Sequence, residues 1–270
     1  MRVLGWPLAA PALALALALA FTPADAAPPR VRLEVFAAAS LADAMRDLSA
    51  VFERDHPGTQ VRVALAGSQQ LAAQLEQGAS ADVFASADER TMTTLEQRGW
   101  LAGAPTVFAR NRLVVILPRT NPARLGGLRD LARGGIKLVL GADAVPVGHY
   151  ARLVLQNLAR DPALGPDFAA RALRNVVSEE DNVRGVVAKV QLGEADAGIV
   201  YRSDVSPALA RFIQVLEIPD SANVLASYPV APLRAARAAS EAQAFIALLL
   251  SERGQQVLAN RGFMPVAGIR

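Results

Sequence analysis

The chain has no cysteine in its 270 residues. No disulfide framework and no thiolate metal site can be built from it, and redox chemistry gives no clue to the compartment. Histidine is almost missing as well, with only His56 and His149. A metal or catalytic cluster built on imidazole would have at most two members. Lysine is reduced to Lys137 and Lys189, and arginine supplies the rest of the 28 basic residues. The net charge is only +3, aromatic residues make up 5% of the chain, and the arginines are scattered without a run of five or six. A nucleic-acid surface needs a concentrated basic stripe. There is no G-x-S-x-G elbow, no Walker lysine loop and no H-E-x-x-H, which removes the common hydrolase, nucleotidase and zinc-protease signatures. Beyond the first 26 residues no apolar run reaches the ~20 residues needed to span a bilayer, and no low-complexity segment or loose linker marks a boundary.

What is present begins with a leader. Residues 1–26, MRVLGWPLAAPALALALALAFTPADA, hold one basic residue, an apolar core from Leu8 to Phe21 and the triplet Ala24-Asp25-Ala26. This is the pattern of a secretory signal peptide cleaved before Ala27. No cysteine follows to carry a lipid, so the expectation is an exported, soluble protein. The remainder is long enough for one large α/β domain or two lobes of about 100–150 residues each.

From residue 31 onward apolar runs and helical periodicities alternate. RLEVFA, QVRVALA, ADVFAS, RLVVILP, IKLVLG, RNVVS, DAGIVY and SYPVAPL read as strands. Between them, Leu41, Met45, Leu48 and Phe52 fall at helical spacing, as do Val147, Ala151, Val154 and Leu158, and Val183, Val186, Val187 and Val190. The stretch from Ser240 to Arg261 reads as a helix broken at Gly254. The alternation predicts an α/β fold of mainly parallel sheets flanked by helices. Two lobes in such a chain would be joined by strands, and RLVVILP and SYPVAPL read as the pair that crosses. The expected division is a leader at 1–26, a first lobe at 27–110 and 228–270, and a second lobe at 111–227.

Four strand-to-helix joins could hold an anion, because helix N-termini present unpaired N–H groups and the positive end of a dipole. Ser40 heads SLAD, a capping-box pattern with Asp43, and Ser68 heads the second helix. Pro146 stands where a first helical residue belongs, leaving the N–H groups of Val147 and Gly148 as orphan donors. In SEEDNVRG the helix starts either after Ser178 or after Asp181, and only the later start frees the Val183 N–H. Each feature has a plain alternative. Serine is a favoured N-cap anywhere, Tyr201 at the end of GIVY can be an ordinary core tyrosine, and Glu179, Glu180 and Asp181 can simply favour their helix dipole in solvent. His56 reads as solvated at a helix end, and His149 has no second histidine with which to share a metal. Hydroxyls and N–H groups without a nucleophile, base or metal describe a binder rather than a catalyst. A secreted serine hydrolase using Ser40 or Ser68, for instance through a Ser40–His149 dyad, is the reading from another class.

Five stretches, in this order and spacing, carry a resemblance: VFAAASLADAM, GSQQLAAQLEQGASADVFASAD, VPVGHYAR, EDNVRGVVAKVQLGEADAGIVYRSDV and YPVAPL. Nearly end to end, the chain beyond the leader resembles the periplasmic molybdate-binding proteins that feed ABC importers. The resemblance implies a two-lobed, type II periplasmic binding fold with a tetrahedral oxyanion held between the lobes by uncharged groups. Carried over by position, Ser40 and Ser68 give hydroxyls and N–H groups from the first lobe. Val147 and Val183 give backbone N–H groups, and Tyr201 its hydroxyl, from the second. Many members have alanine where Val147 stands. No cofactor is implied, and molybdenum would be held as molybdate, or tungsten as tungstate, without direct metal ligands. The expected partner is the membrane permease of an ABC importer, met by a periplasmic monomer that binds no nucleic acid and inserts in no membrane. A receptor for sulfate or another tetrahedral oxyanion is the alternative within this class.

Overall fold

In a computed structural model, residues 31–266 are described; the leader at 1–26 lies outside them. Strand β1 (Val31–Ala38) leads through a 3-10 turn (Ala39–Leu41) into α1 (Ala42–Asp55), followed by β2 (Thr59–Ala66), α2 (Ser68–Glu76), β3 (Val83–Ala85), α3 (Glu89–Gln97) and β4 (Thr106–Asn111). Next come β5 (Leu113–Pro118), β6 (Leu138–Gly141), α4 (Pro146–Leu158), α5 (Phe168–Arg174), β7 (Val176–Glu180), α6 (Val183–Gln191), β8 (Ala197–Tyr201), α7 (Pro207–Ala210) and β9 (Ile213–Glu217). The chain ends with β10 (Ala226–Pro232), α8 (Ala239–Leu250) and α9 (Glu252–Asn260).

The strands form two five-stranded sheets, ordered β2-β1-β3-β10-β4 and β7-β6-β8-β5-β9. In each, one strand runs against the other four: β10 in the first sheet and β5 in the second. These are the strands that enter directly from the other sheet. A parallel neighbour needs a long crossover, and a strand arriving from the opposite lobe has none, so it lies antiparallel. RLVVILP and SYPVAPL are these two crossing strands, but they do not pair with each other. β5 bonds to β8 and β9, and β10 to β3 and β4.

Burial follows position in the sheet. Every residue of β5, β6 and β8 is buried, as expected for strands covered on both faces, whereas the edge strand β7 alternates between exposed and half-buried. In the first sheet Phe36 and Phe84 face α2 and α3, with Leu71, Leu75, Met92 and Leu95. Val35, Ala37, Val83 and Ala85 face the larger core, with Met45, Leu48, Phe52 and Phe245. Trp100 packs at the margin of the smaller cluster.

Two expectations fail locally. Glu179 and Glu180 belong to β7, not to a helix start: Glu179 pairs with Arg152, and Glu180 lies 2.6 Å from both Lys189 Nζ and Ser178 Oγ. The C-terminal helical stretch breaks at Ser251, not at Gly254. Ser251 caps α9 by accepting from the Gly254 N–H at 3.1 Å. Gly254 sits in the first turn of α9, where a Cβ would come within 1.9 Å of the Leu248 carbonyl oxygen.

Candidate functional site: an interlobe cavity lined by hydroxyls and helix starts

The C-terminal ends of β1, β6 and β8 and the starts of α2, α4 and α6 converge between the sheets. There they line a small interlobe cavity of about 10 Å³, against the ~300–1,000 Å³ usual for drug-sized ligands. Ser40, Ser68, Val147, Val183 and Tyr201 all line it, together with Gly67, Ala87, Pro146 and Asn182. No charged side chain and no histidine is among the lining residues. The space suits one small ion.

The serines are not caps. Ser40 lies in the 3-10 turn, α1 starts after Leu41, and no side chain caps that start. The Ser40 hydroxyl instead meets the Tyr228 hydroxyl at 3.0 Å. Ser68 is the first helical residue of α2, one place past the N-cap Gly67, whose N–H is taken by the Gln70 side chain at 3.0 Å. Ser68 Oγ accepts from the Ala87 N–H at 3.0 Å. Ser40 and Ser68 are 7% and 1% exposed.

The helix starts of the second lobe supply backbone groups. Pro146 is the first residue of α4, and no side chain caps that end; among the described residues the Val147 N–H has no acceptor. Gly148 lets α4 begin against β6, because a Cβ there would fall 2.2 Å from the Gly141 oxygen and 2.1 Å from the Ala142 oxygen. In α6 the start is the later one. Asn182 is the N-cap and its Oδ1 accepts from the N–H groups of Arg184 at 3.0 Å and Gly185 at 3.4 Å. The Val183 N–H is left without an acceptor among the described residues, at the end of the helix where the dipole is positive.

Tyr201 ends β8, and its hydroxyl is buried without a hydrogen-bond partner. An orphaned buried hydroxyl is costly, about 1–3 kcal/mol, so one in a cavity wall points to a missing partner. Burial, with Tyr228 and Tyr150 nearby, pushes its pKa well above the usual value. It remains a neutral donor throughout the physiological range. His149 does not line the cavity; its Nδ1 lies 3.6 Å from Asp143, and nothing here forms a Ser–His dyad. Among the described residues no cluster of histidine and carboxylate side chains could hold a metal ion.

Across the cleft the lobes are clasped by side chains reaching to main-chain oxygens. Gln69 Nε2 donates to the Asp181 oxygen at 3.0 Å, Arg90 Nη2 to the oxygens of Asp143 and Ala144 at 3.2 Å each, and Arg184 Nε to the Ala39 oxygen at 3.1 Å. Sequence reasoning missed these residues, and also missed Tyr228 and Asn182 beside the cavity. Asn182 alone left a signal, as a good N-cap residue just before an apolar helix.

Two mixed sheets joined by two crossing strands, with an interlobe cavity lined by helix N-termini, define a two-lobed binding protein of the type II periplasmic class. The chain belongs to the family of bacterial extracellular solute-binding proteins, whose pattern matches residues 33–264. These are transport components, not enzymes. The chain is 38% identical to the molybdate-binding protein ModA of Mycobacterium tuberculosis over 85% of its own length and 83% of that protein. It is 31% identical to the molybdate-binding protein ModA of Escherichia coli, covering 86% and 88% of the two chains. The solved periplasmic molybdate-binding protein of Azotobacter vinelandii has the same fold, with a TM-score of 0.73 at 20% identity, over 87% of this chain and 99% of that one. Among the described residues no helix is long and apolar enough to cross a membrane.

Proposed function

We propose that this protein is the periplasmic receptor of an ABC importer and that it captures molybdate, and tungstate with it, for delivery to the membrane permease. The observation that carries the reading is a cavity lined by hydroxyls and helix starts without a charged side chain, with the unpartnered Tyr201 hydroxyl in its wall. A fully deprotonated dianion offers acceptors alone. Hydrogen bonds to a charged group are about twice as strong as neutral ones. Hydrogen phosphate carries a proton, and no carboxylate stands in this wall to accept it. The relatives named for molybdate support the choice of ion. The signal peptide at 1–26 and the monomeric state belong to this reading. So does the division into lobes at 27–110, 111–227 and 228–270, supported by the first sheet's strands breaking off at Asn111 and resuming at Ala226. No resident cofactor is required.

The test is a calorimetric and thermal-shift panel of molybdate, tungstate, sulfate and hydrogen phosphate on the chain lacking residues 1–26. Molybdate and tungstate are expected to bind at sub-micromolar levels. At a thousandfold excess over Kd, each would stabilise the native state by about 4 kcal/mol. Equal affinity for sulfate would overturn the choice of ion.

Ser40→Ala and Ser68→Ala are each expected to weaken molybdate binding by roughly 1.5–3 kcal/mol, the range for a hydrogen bond to a charged group. Neither serine caps a helix, but each substitution leaves a buried partner unpaired, the Tyr228 hydroxyl or the Ala87 N–H, so the unliganded protein should also lose about 1–3 kcal/mol of stability. A Ser→Ala variant that titrates like wild type would remove that hydroxyl from the site.

A further inference from the structure

Behind Ser40 runs a chain of polar groups that begins where the first lobe hands over to the second. Arg112 is the single residue between β4 and β5. Its backbone N–H donates to Asn111 Oδ1 at 2.9 Å. A backbone N–H can only donate, so this contact fixes which way the Asn111 amide lies. The Asn111 Nδ2 group then faces Ser203 Oγ at 2.8 Å and the Tyr228 hydroxyl at 3.5 Å. Asn111 and Tyr228 are both 0% exposed, so no water sets their roles. The Tyr228 oxygen faces a donor and accepts from it. Its other partner is Ser40 Oγ at 3.0 Å, a contact in which either hydroxyl can donate. With Asn111 donating to Tyr228, the arrangement that uses every donor has Tyr228 donating to Ser40, which leaves the Ser40 proton for the cavity. Ser68 is held the same way by the Ala87 N–H, but there the donor is backbone and no side-chain substitution removes it.

We propose that Asn111 and Tyr228 are positioning residues that bias Ser40 towards donating into the cavity, so that the cavity disfavours oxyanions carrying a proton. Neither residue touches the ion. They act on which way a hydroxyl points, and so on selectivity more than on grip. Without the relay Ser40 can turn a lone pair into the cavity and accept the proton of hydrogen phosphate. The relay starts at the interlobe crossover, which ties the polarity of a first-lobe group to the seating of Ser203, two residues past Tyr201. This inference rests on the oxyanion reading above.

The experiment is competition between sodium molybdate and inorganic phosphate at mildly alkaline pH, where phosphate is almost wholly the hydrogen phosphate dianion, in wild type, Tyr228→Phe and Asn111→Asp. Tyr228→Phe keeps the ring that packs edge-on against Phe263, Tyr201 and Phe108. Asn111→Asp preserves the shape and the acceptor for the Arg112 N–H, but replaces the donor facing Tyr228 with an acceptor. In both variants the molybdate-to-phosphate affinity ratio is expected to fall at least tenfold. Simple loosening, or the added charge in Asn111→Asp, would weaken both dianions alike and leave the ratio in place. A double-mutant cycle gives a second reading: Ser40→Ala should cost less in the Tyr228→Phe background than in wild type. An unchanged ratio in both variants, or strictly additive losses, would overturn the relay. A wild-type protein that ignores molybdate would overturn the proposed function instead, and the same ratio measured with sulfate would still test the relay.

Discussion

Val183→Pro is expected to lower molybdate affinity by at least a hundredfold while the fold survives. Proline is accepted in the first turn of a helix, where the N–H has no intrahelical partner. Val183 is the first residue of α6, and Asn182 before it is already extended, with φ −160° and ψ 167°, as a residue preceding proline must be. The helix therefore forms. The substitution removes the unpaired N–H and sets a ring methylene in its place, at the wall of the small cavity. The lost bond to a charged ligand accounts for roughly 1.5–3 kcal/mol, and the intruding carbon adds to it. Val183→Ala is the control. It keeps the N–H and trims a side chain that is 3% exposed and begins the apolar face continued by Val186 and Val190. It should cost about 1.5 kcal/mol of stability, at ~0.8 kcal/mol per buried CH₂, and almost no affinity. Side-by-side titration and melting of the two variants decide the matter. Equal losses of affinity would show that the backbone donor is not what Val183 contributes.

Gly67→Ala should separate binding from folding in a different way. Gly67 has φ −60° and ψ 142°, a conformation open to any residue, so alanine adds no strain to the first lobe and stiffens the unfolded chain. Alanine is a poorer N-cap than the glycine it replaces, which offsets the ~0.4–1 kcal/mol gained from the stiffer unfolded chain, so the unliganded protein should melt close to wild type. In the closed form, however, a Cβ at this position would lie 2.5 Å from the Asp181 oxygen and 2.6 Å from the Gln69 amide. The Gln69 side chain can swing aside at the cost of its bond to Asp181. The Asp181 oxygen is main chain from the opposite lobe and recedes only if the cleft opens. Overpacking of this kind costs about 1–3 kcal/mol, which here falls on closure alone. Affinity should drop by roughly five- to 150-fold, with the apo melting curve preserved. If binding is retained in full, the cleft closes less tightly than the structure depicts.

The comparison between sequence and structure is uneven in an instructive way. Periodicity exposed α1, α4 and α6, because each buries one stripe: Met45, Leu48 and Phe52 in α1, for example. The fully apolar β5, β6 and β8 were equally legible. TVFARN ran into RLVVILP without a turn signal, so β4 went unseen, although the two strands belong to different sheets. Ser40 and Ser68 stood out as serines at helix starts, yet neither caps; a shift of one residue between N-cap and first helical position turns a structural hydroxyl into a free one. The later start of α6 was left open because the acids of SEED suit a helix start as well as a strand, and pairing with Lys189 and Arg152 drew Glu180 and Glu179 into β7. Tyr228 and Asn111 could not be found at all. The Ser40–Tyr228 contact joins residues 188 positions apart, and no local pattern encodes it.

The clasp across the cleft has a consequence for inheritance and engineering. Gln69, Arg90 and Arg184 each seize a main-chain oxygen of the facing lobe. Every residue type carries that oxygen. Substitutions at Asp143, Ala144, Asp181 or Ala39 that leave the backbone path alone cannot erase the acceptor, so the receiving loops are free to drift. Three side chains make this clasp, and Asn111 Nδ2 adds a donation to Ser203 Oγ at 2.8 Å beside the crossover. The halves should therefore behave as interchangeable modules: a hybrid joining one half of this protein to the other half of a relative should still latch, provided those donors are kept.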